Sequence, residues 1–451
     1  MATLQLATWA TNLTYAQLPA PVIDQAVKSI YNWAGCAIGG QAQSAPHIAH
    51  LTYQPFSGSS TSSILGSNSS IENSFADPQH AAFINGIASH IDDYDDTHLE
   101  TIIHPAGPIA SALFAVAEWK APVTGHDFLT AFVAGVETEC KLGLGVWPYH
   151  YDIGWHITST TGSIGAAVAV GKLLDIDTER MRAAIGIAAM QVIGMQVDFG
   201  SMTKSFHVGR AAQSGMLAAL LASNNYTMAL DGLEGEYGWL SVVSKDNNVT
   251  DYFDQLGDIW ETEKNTFKPY PCGIVLHPAI NAAVNLHNET IAQGKDINSV
   301  KSIMVEGNSE VLVLTGKTDP QSGLEGKFSV YHAVGVAFLD GKATPSQFTD
   351  AVVANKTVVE FRKKVNFTAD DDKFSKDQAT VTVEFEDGST LSSHIEHALG
   401  SLENPLSVAQ LKTKFMDQVA LQIGQTRAER AYAAFTGIGN LTDIGTLRTL
   451  Y

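Results

Sequence analysis

Three stretches of this chain are apolar on nearly every side of a helix. Residues 162–174, 181–192 and 211–222 are dominated by Ala, Gly, Ile, Leu and Met, and a helix that is hydrophobic all round has to be buried among others. Small side chains at the contacts let helix axes approach closely. Asp177 and Thr178 ahead of Met181 supply a helix start. The charged fraction is 16%, against 45% hydrophobic residues, low for a chain in water. No apolar run reaches the ~18 to 20 residues that span a bilayer. A compact, mainly helical core is expected, and no membrane segment.

The pattern stays helical from the N-terminus to about Trp260, with short turns at Pro19-Ala20-Pro21 and over 121–126. It changes after Phe267. Residues 300–305 are β-like, and 380–385 and 390–395 alternate around Asp387-Gly388, a hairpin signal. Helical segments at 278–287 and 329–339 lie between them, and 406–423 and 427–436 return to helix. The expected fold is mainly α with an inserted α+β domain. A large all-helical domain (1–265) carries a smaller α+β lid domain (266–399), and C-terminal helices (400–451) rejoin the first.

The densest chemistry lies in His90-Ile91-Asp92-Asp93-Tyr94-Asp95-Asp96-Thr97-His98, followed by His104-Pro105. Phe83, Ile84, Ile87, Ile91 and Tyr94 recur at helical spacing, which predicts a helix running through Thr97. His90, Asp93 and Thr97 would then share one flank within roughly 60°, with Asp92 and Asp96 projecting elsewhere. A carboxylate beside a core-facing stripe is expected to have a raised pKa, as a proton-transfer group near neutral pH requires.

A net charge of −20 argues against nucleic acid, which is bound by clustered cations, and against an anionic membrane surface. An anionic substrate would need lysines placed locally against that field. Lys204 and His207 in Ser201–Arg210 precede a buried stretch, and Lys268 lies in Lys-Pro-Tyr-Pro-Cys where the two domains join, a favoured place for ligand clefts. His156 follows Gly154-Trp155 near a helix start, where free backbone N–H groups meet anions. Lys327-Phe328-Ser329-Val330-Tyr331-His332 opens a helix in the second domain. Cys36, Cys140 and Cys272 form no metal-ligand pattern and suggest a reducing compartment. The N-terminal residues lack a basic and then apolar leader, so a cytoplasmic protein is expected, or a mitochondrial one if a leader was removed.

Taken in order, Asp-x-Asp-Asp-Thr with His-Pro, Gly-Trp-His, Thr-Lys-x-x-His-x-Gly, Lys-Pro-Tyr-Pro-Cys and Lys-Phe-Ser resemble the MmgE/PrpD family nearly end to end. The resemblance implies a cofactor-free, metal-free, usually homodimeric enzyme with a helical domain and a smaller lid. It implies a small anionic di- or tricarboxylate substrate and chemistry next to a carboxylate. Dehydration of a 2-methylcitrate-type substrate comes first, cis-aconitate decarboxylation second and iminodisuccinate-type epimerisation third. It also implies Asp93, His104, His156 and Lys204 as catalytic, with Thr97, Lys268, Tyr331 and His332 binding substrate. Where relatives carry a Tyr after Lys-Phe-Ser, this chain has His332, with Tyr331 one place earlier. Two other readings are weaker. The aspartates superficially resemble the Mg²⁺ motif of isoprenoid synthases, but a second metal motif is lacking. A polycarboxylate-binding homologue without turnover would have little reason to keep Asp93, His104, His156, Lys204 and Lys268.

Overall fold

The computed structural model describes residues 1–67 and 74–450. Helices dominate up to residue 253: α1 (Ala20–Gly40), α2 (Pro78–Ile91), α3 (Ala106–Lys120), α4 (Gly125–Val146), α5 (Ile157–Leu173) and α6 (Met202–Ser223) form the framework. Their starts follow local chemistry. Asp77 caps α2 by accepting from the N–H groups of Gln79 and His80, ahead of Pro78. Ser201 caps α6, and Asp177 caps the Thr178–Ala189 helix. The expected apolar stretches fall in α5, Thr178–Ala189 and the second half of α6. α6 packs on α5 and α2, and α5 on α4.

The small residues work at one crossing in particular. A Cβ on Gly86 of α2 would stand 2.6 Å from the Gly209 Cα of α6, so the two backbones touch. That contact brings His90, one turn beyond Gly86, to the start of α6, where Lys204 lies.

The helix predicted through Thr97 ends at Ile91. Asp93 has φ +51°, the left-handed conformation, and the chain turns into a short strand, β1 (Asp96–His98). β1 pairs antiparallel with β2 (Asn265–Phe267), placing Thr97 opposite Thr266. Thr97 therefore belongs to a strand and not to the flank of a helix.

Beyond β2, α7 (His277–Ala292) and α8 (Val330–Asp340) pack together, and α7 lies against a four-stranded sheet. Its strands are β3 (Val300–Gly307), β4 (Val365–Ala369), β5 (Ala379–Phe385) and β6 (Thr390–Ile395), ordered β4-β3-β5-β6. β3 runs parallel to β4 and antiparallel to β5, and β5–β6 is the expected hairpin, with Gly388 at φ +80°. Alternate residues Ala379, Val381, Val383 and Phe385 enter a second core, built from Cys272 to Phe385. Finally α9 (Val408–Ile423) and α10 (Gln425–Thr436) pack on α1 and complete the first core. The chain is mainly helical with a smaller α+β part. Among the described residues no helix is long and apolar enough to cross a membrane.

Candidate active site

The loop after α2 is held by lysines from distant parts of the chain. Lys327 donates to the Asp92 carbonyl at 2.8 Å, and Lys414 to the Tyr94 carbonyl at 2.6 Å. Between them Asp93 turns its carboxylate inward. One oxygen, Oδ1, accepts from Lys204 at 2.7 Å and from Lys268 at 2.9 Å. Lys204 also donates to His90 Nε2 at 2.9 Å, and Lys268 to the Cys272 carbonyl at 3.3 Å. An ammonium has three N–H donors, so each lysine retains one for a ligand.

The same bookkeeping fixes the histidines. His90 accepts at Nε2, so its proton sits on Nδ1, which donates to Asp95 Oδ2 at 2.6 Å. His104 Nδ1 lies 2.7 Å from the Asp96 carbonyl, which can only accept, so Nδ1 carries the proton. Thr97 Oγ1 stands 3.2 Å from that nitrogen, and Asp95 Oδ1 3.7 Å. His156, at the start of α5, meets His207 Nδ1 through its own Nδ1 at 3.0 Å. Within the described residues, Nε2 of His104 and Nε2 of His156 make no hydrogen bond.

Charges follow from burial and partners. Burial would raise the Asp93 carboxyl, but Lys204 and then Lys268 hold it well below its usual value. The raised pKa expected at Asp93 is thus overturned, because two ammonium groups outweigh desolvation. Asp95 is likewise held low against burial, by His90 and His104. The raised carboxyl is Asp96, pushed up to about 7 by burial and then by Asp95, with Asn265 donating to it at 2.5 Å. Burial lowers Lys204, opposed by Asp93. Burial and then Lys268 hold His104 well below the ordinary imidazole value; burial and then Lys204 do so for His156. The resting site therefore presents neutral imidazoles beside two lysines. His90, Asp93 and His104 offer three ligand atoms within 4.8 Å of one another. Lys204 already donates to His90 Nε2 and Asp93 Oδ1, so a metal bound through those atoms would have to displace the ammonium.

Asp93, His104, His156, Lys204 and Lys268 line one cavity, closed by Ile102, Phe199, Leu314, Thr315 and Phe328. About 420 Å³ of empty space lies within it, part of it open to solvent. Thr97 stands behind His104. Tyr331 and His332 do not line this cavity. Ser329 caps α8, turning His332 into the interior of the α+β part, where its Nε2 donates to the Gln347 carbonyl at 3.0 Å; Tyr331 packs half-buried on the second core. From that motif it is Phe328 that reaches the cavity and Lys327 that reaches Asp92. Tyr151, three residues ahead of Gly154-Trp155-His156, also lines the cavity, a role sequence reasoning did not assign to it. Leu314 and Thr315 carry no signal in the sequence.

The sequence profile of the MmgE/PrpD N-terminal domain matches residues 4–251, and that of the MmgE/PrpD C-terminal domain matches residues 270–436. The chain belongs to the MmgE/PrpD family. Within this family, cis-aconitate decarboxylase of Aspergillus terreus is 26% identical over 99% of this chain and 95% of its own length. The Homo sapiens cis-aconitate decarboxylase is 25% identical over 99% and 94%. The 2-methylcitrate dehydratase of Escherichia coli strain K12 is 23% identical over 78% of each chain. These MmgE/PrpD relatives are lyases by name.

Proposed function

We propose that this chain is a cofactor-free lyase acting on a small tricarboxylate, by moving a proton at the carbon next to a carboxylate. The observation that carries the reading is the pair of lysines sharing Asp93 Oδ1, each with one N–H left, beside two imidazoles with Nε2 free. Lys204 and Lys268 bind substrate carboxylates and stabilise negative charge as it develops. His104 and His156 exchange the proton at Nε2, and Asp93 orients the lysines.

Decarboxylation of cis-aconitate is the leading reaction, ahead of the dehydration favoured by the sequence. The Aspergillus terreus and Homo sapiens decarboxylases align over 99% of this chain, and the Escherichia coli strain K12 dehydratase over 78%. In decarboxylation the C–C bond to one carboxylate breaks and CO2 leaves. The electron pair passes into the carbon framework, where an imidazolium Nε2–H quenches it, so one proton is taken from solvent per turnover. In dehydration one imidazole takes the C–H proton, and the hydroxyl leaves as water after accepting another. The reading includes the homodimer implied by the family, which sedimentation equilibrium tests.

The test is proton NMR of EDTA-treated protein in D2O with cis-aconitate, 2-methylcitrate, citrate and iminodisuccinate in separate tubes. Itaconate vinyl signals support decarboxylation, and an unsaturated product from either citrate supports dehydration. Deuterium entering an α-carbon without net product would move the reading to epimerisation. Folded protein that turns over none of them overturns it. Lys204→Ala is expected to cost at least about 10²-fold in turnover while leaving the circular dichroism spectrum unchanged.

A further inference from the structure

The Nδ1 atoms of His156 and His207 lie 3.0 Å apart in the interior. Between two neutral rings one proton bridges the pair, so one imidazole donates and the other accepts. Which one donates is decided by their far sides. His207 Nε2 faces the carboxylate of Asp198 at 3.9 Å, an acceptor-only group whose field favours a proton on that nitrogen. His156 Nε2 is left for the cavity. The segment before Asp198 closes over the pair. The His156 N–H donates to the Gly194 carbonyl at 3.0 Å, and Gly194 has φ +100°. A Cβ there would stand 2.2 Å from Ser159 Oγ and 3.2 Å from His207 Nδ1, so this approach needs glycine. His207 lies one turn along α6 from Lys204, outside the cavity lining.

We propose that His207, backed by Asp198, is a positioning residue that keeps the proton of neutral His156 on Nδ1 and so confines the exchange of protons with substrate to Nε2. The proposal rests on His156 belonging to the proton-transfer pair. His104 reaches the same state by a different route, through the Asp96 carbonyl. Two imidazoles thus present the same atom to one cavity, each fixed from behind by a different kind of acceptor. The Nδ1–H of His156 stays in place throughout; Nε2 takes a proton to form the imidazolium and gives it back. Burial holds His207 down to about 4 despite Asp198, in keeping with a neutral acceptor.

The test is a long-range proton–nitrogen correlation spectrum of resting protein labelled with ¹⁵N in its histidine rings, with His156 identified by its loss in His156→Gln. A pyrrole-type Nδ1 and a pyridine-type Nε2 are expected in the wild type. His207→Asn offers Oδ1 in place of the lost Nδ1 and is expected to keep that pattern, whereas His207→Leu moves the two nitrogens toward averaged shifts. On whichever of the four acids the protein turns over, His207→Leu is expected to lower kcat about 10- to 100-fold, with KM changing much less, and His207→Asn to recover most of the loss. A wild-type His156 protonated at Nε2, or a His207→Leu spectrum unchanged from wild type, overturns the proposal. The resting spectrum needs no substrate, so it decides the matter even if none of the four acids is turned over.

Discussion

One oxygen of Asp93 serves two buried ammonium groups, and its backbone sits in the left-handed region. Asparagine tolerates that backbone but would leave both cations facing a neutral amide. Breaking a buried ion pair costs about 3–5 kcal/mol, so we predict that Asp93→Asn loses stability of that order in urea unfolding and loses turnover. The acid limb should change as well. A carboxyl held below its ordinary 3.8 stabilises above that pH, and the contribution disappears as pH falls through the folded value. The variant is therefore expected to show a flatter loss of stability below about pH 4. Glu139 is the opposite case. Both its carboxylate oxygens are buried without a partner, and burial and then Asp96 hold its pKa well above the ordinary 4.5. Its burial is tolerated below pH 4.5 and becomes costly as pH rises toward the folded value. Glu139→Met is expected to raise stability by about 1–4 kcal/mol at pH 7, a gain that fades by pH 4; an equal gain in thermal unfolding at both would show that the carboxyl is not protonated on folding. The apolar stripe beside Asp93 made its burial legible in sequence. The sign of its shift was not, because Lys204 and Lys268 lie 111 and 175 residues away.

Among the elements, α2 shows where periodicity stops informing. Phe83 to Tyr94 keeps helical spacing and all the marked residues are buried, yet the helix ends at Ile91. The carbonyls of Asp92 and Tyr94 go to Lys327 and Lys414, 235 and 320 residues distant, and no local window contains those donors. The β5–β6 hairpin was legible because alternation and Asp387-Gly388 are local. β4 was not, since it is a mostly exposed edge strand paired in parallel with β3. Lys414→Met tests the capture of the loop. Among the described residues it leaves the Tyr94 carbonyl only the Cys36 thiol at 3.3 Å, so stability is expected to fall by about 1–3 kcal/mol in chemical denaturation. Burial lowers Lys414 to about 8 from 10.5. The unfolded state then binds more protons between those values, and wild-type stability gains with pH across that window. The deficit of the variant should widen from pH 8 to 10.5.

At the scale of the whole molecule, the cavity lies between two cores. Asp93, His104, His156 and Lys204 come from the helical part, and Ile274, Leu314, Thr315 and Phe328 from the α+β part. Lys327 crosses this boundary to the Asp92 carbonyl and also donates to the Pro271 carbonyl. We predict that Lys327→Met loosens the seam, so that amide hydrogen exchange quickens over residues 92–98 while α5 keeps its protection. Equal exchange in both proteins would show that the lysine does not hold the parts together. The cavity holds about 420 Å³ of empty space, part of it open to solvent. Its lining is shared between the two parts, so a ligand held there touches both sides of the seam. A looser seam would then change how quickly a ligand enters and leaves, so Lys327 sets a gate for traffic as well as a tie between two cores.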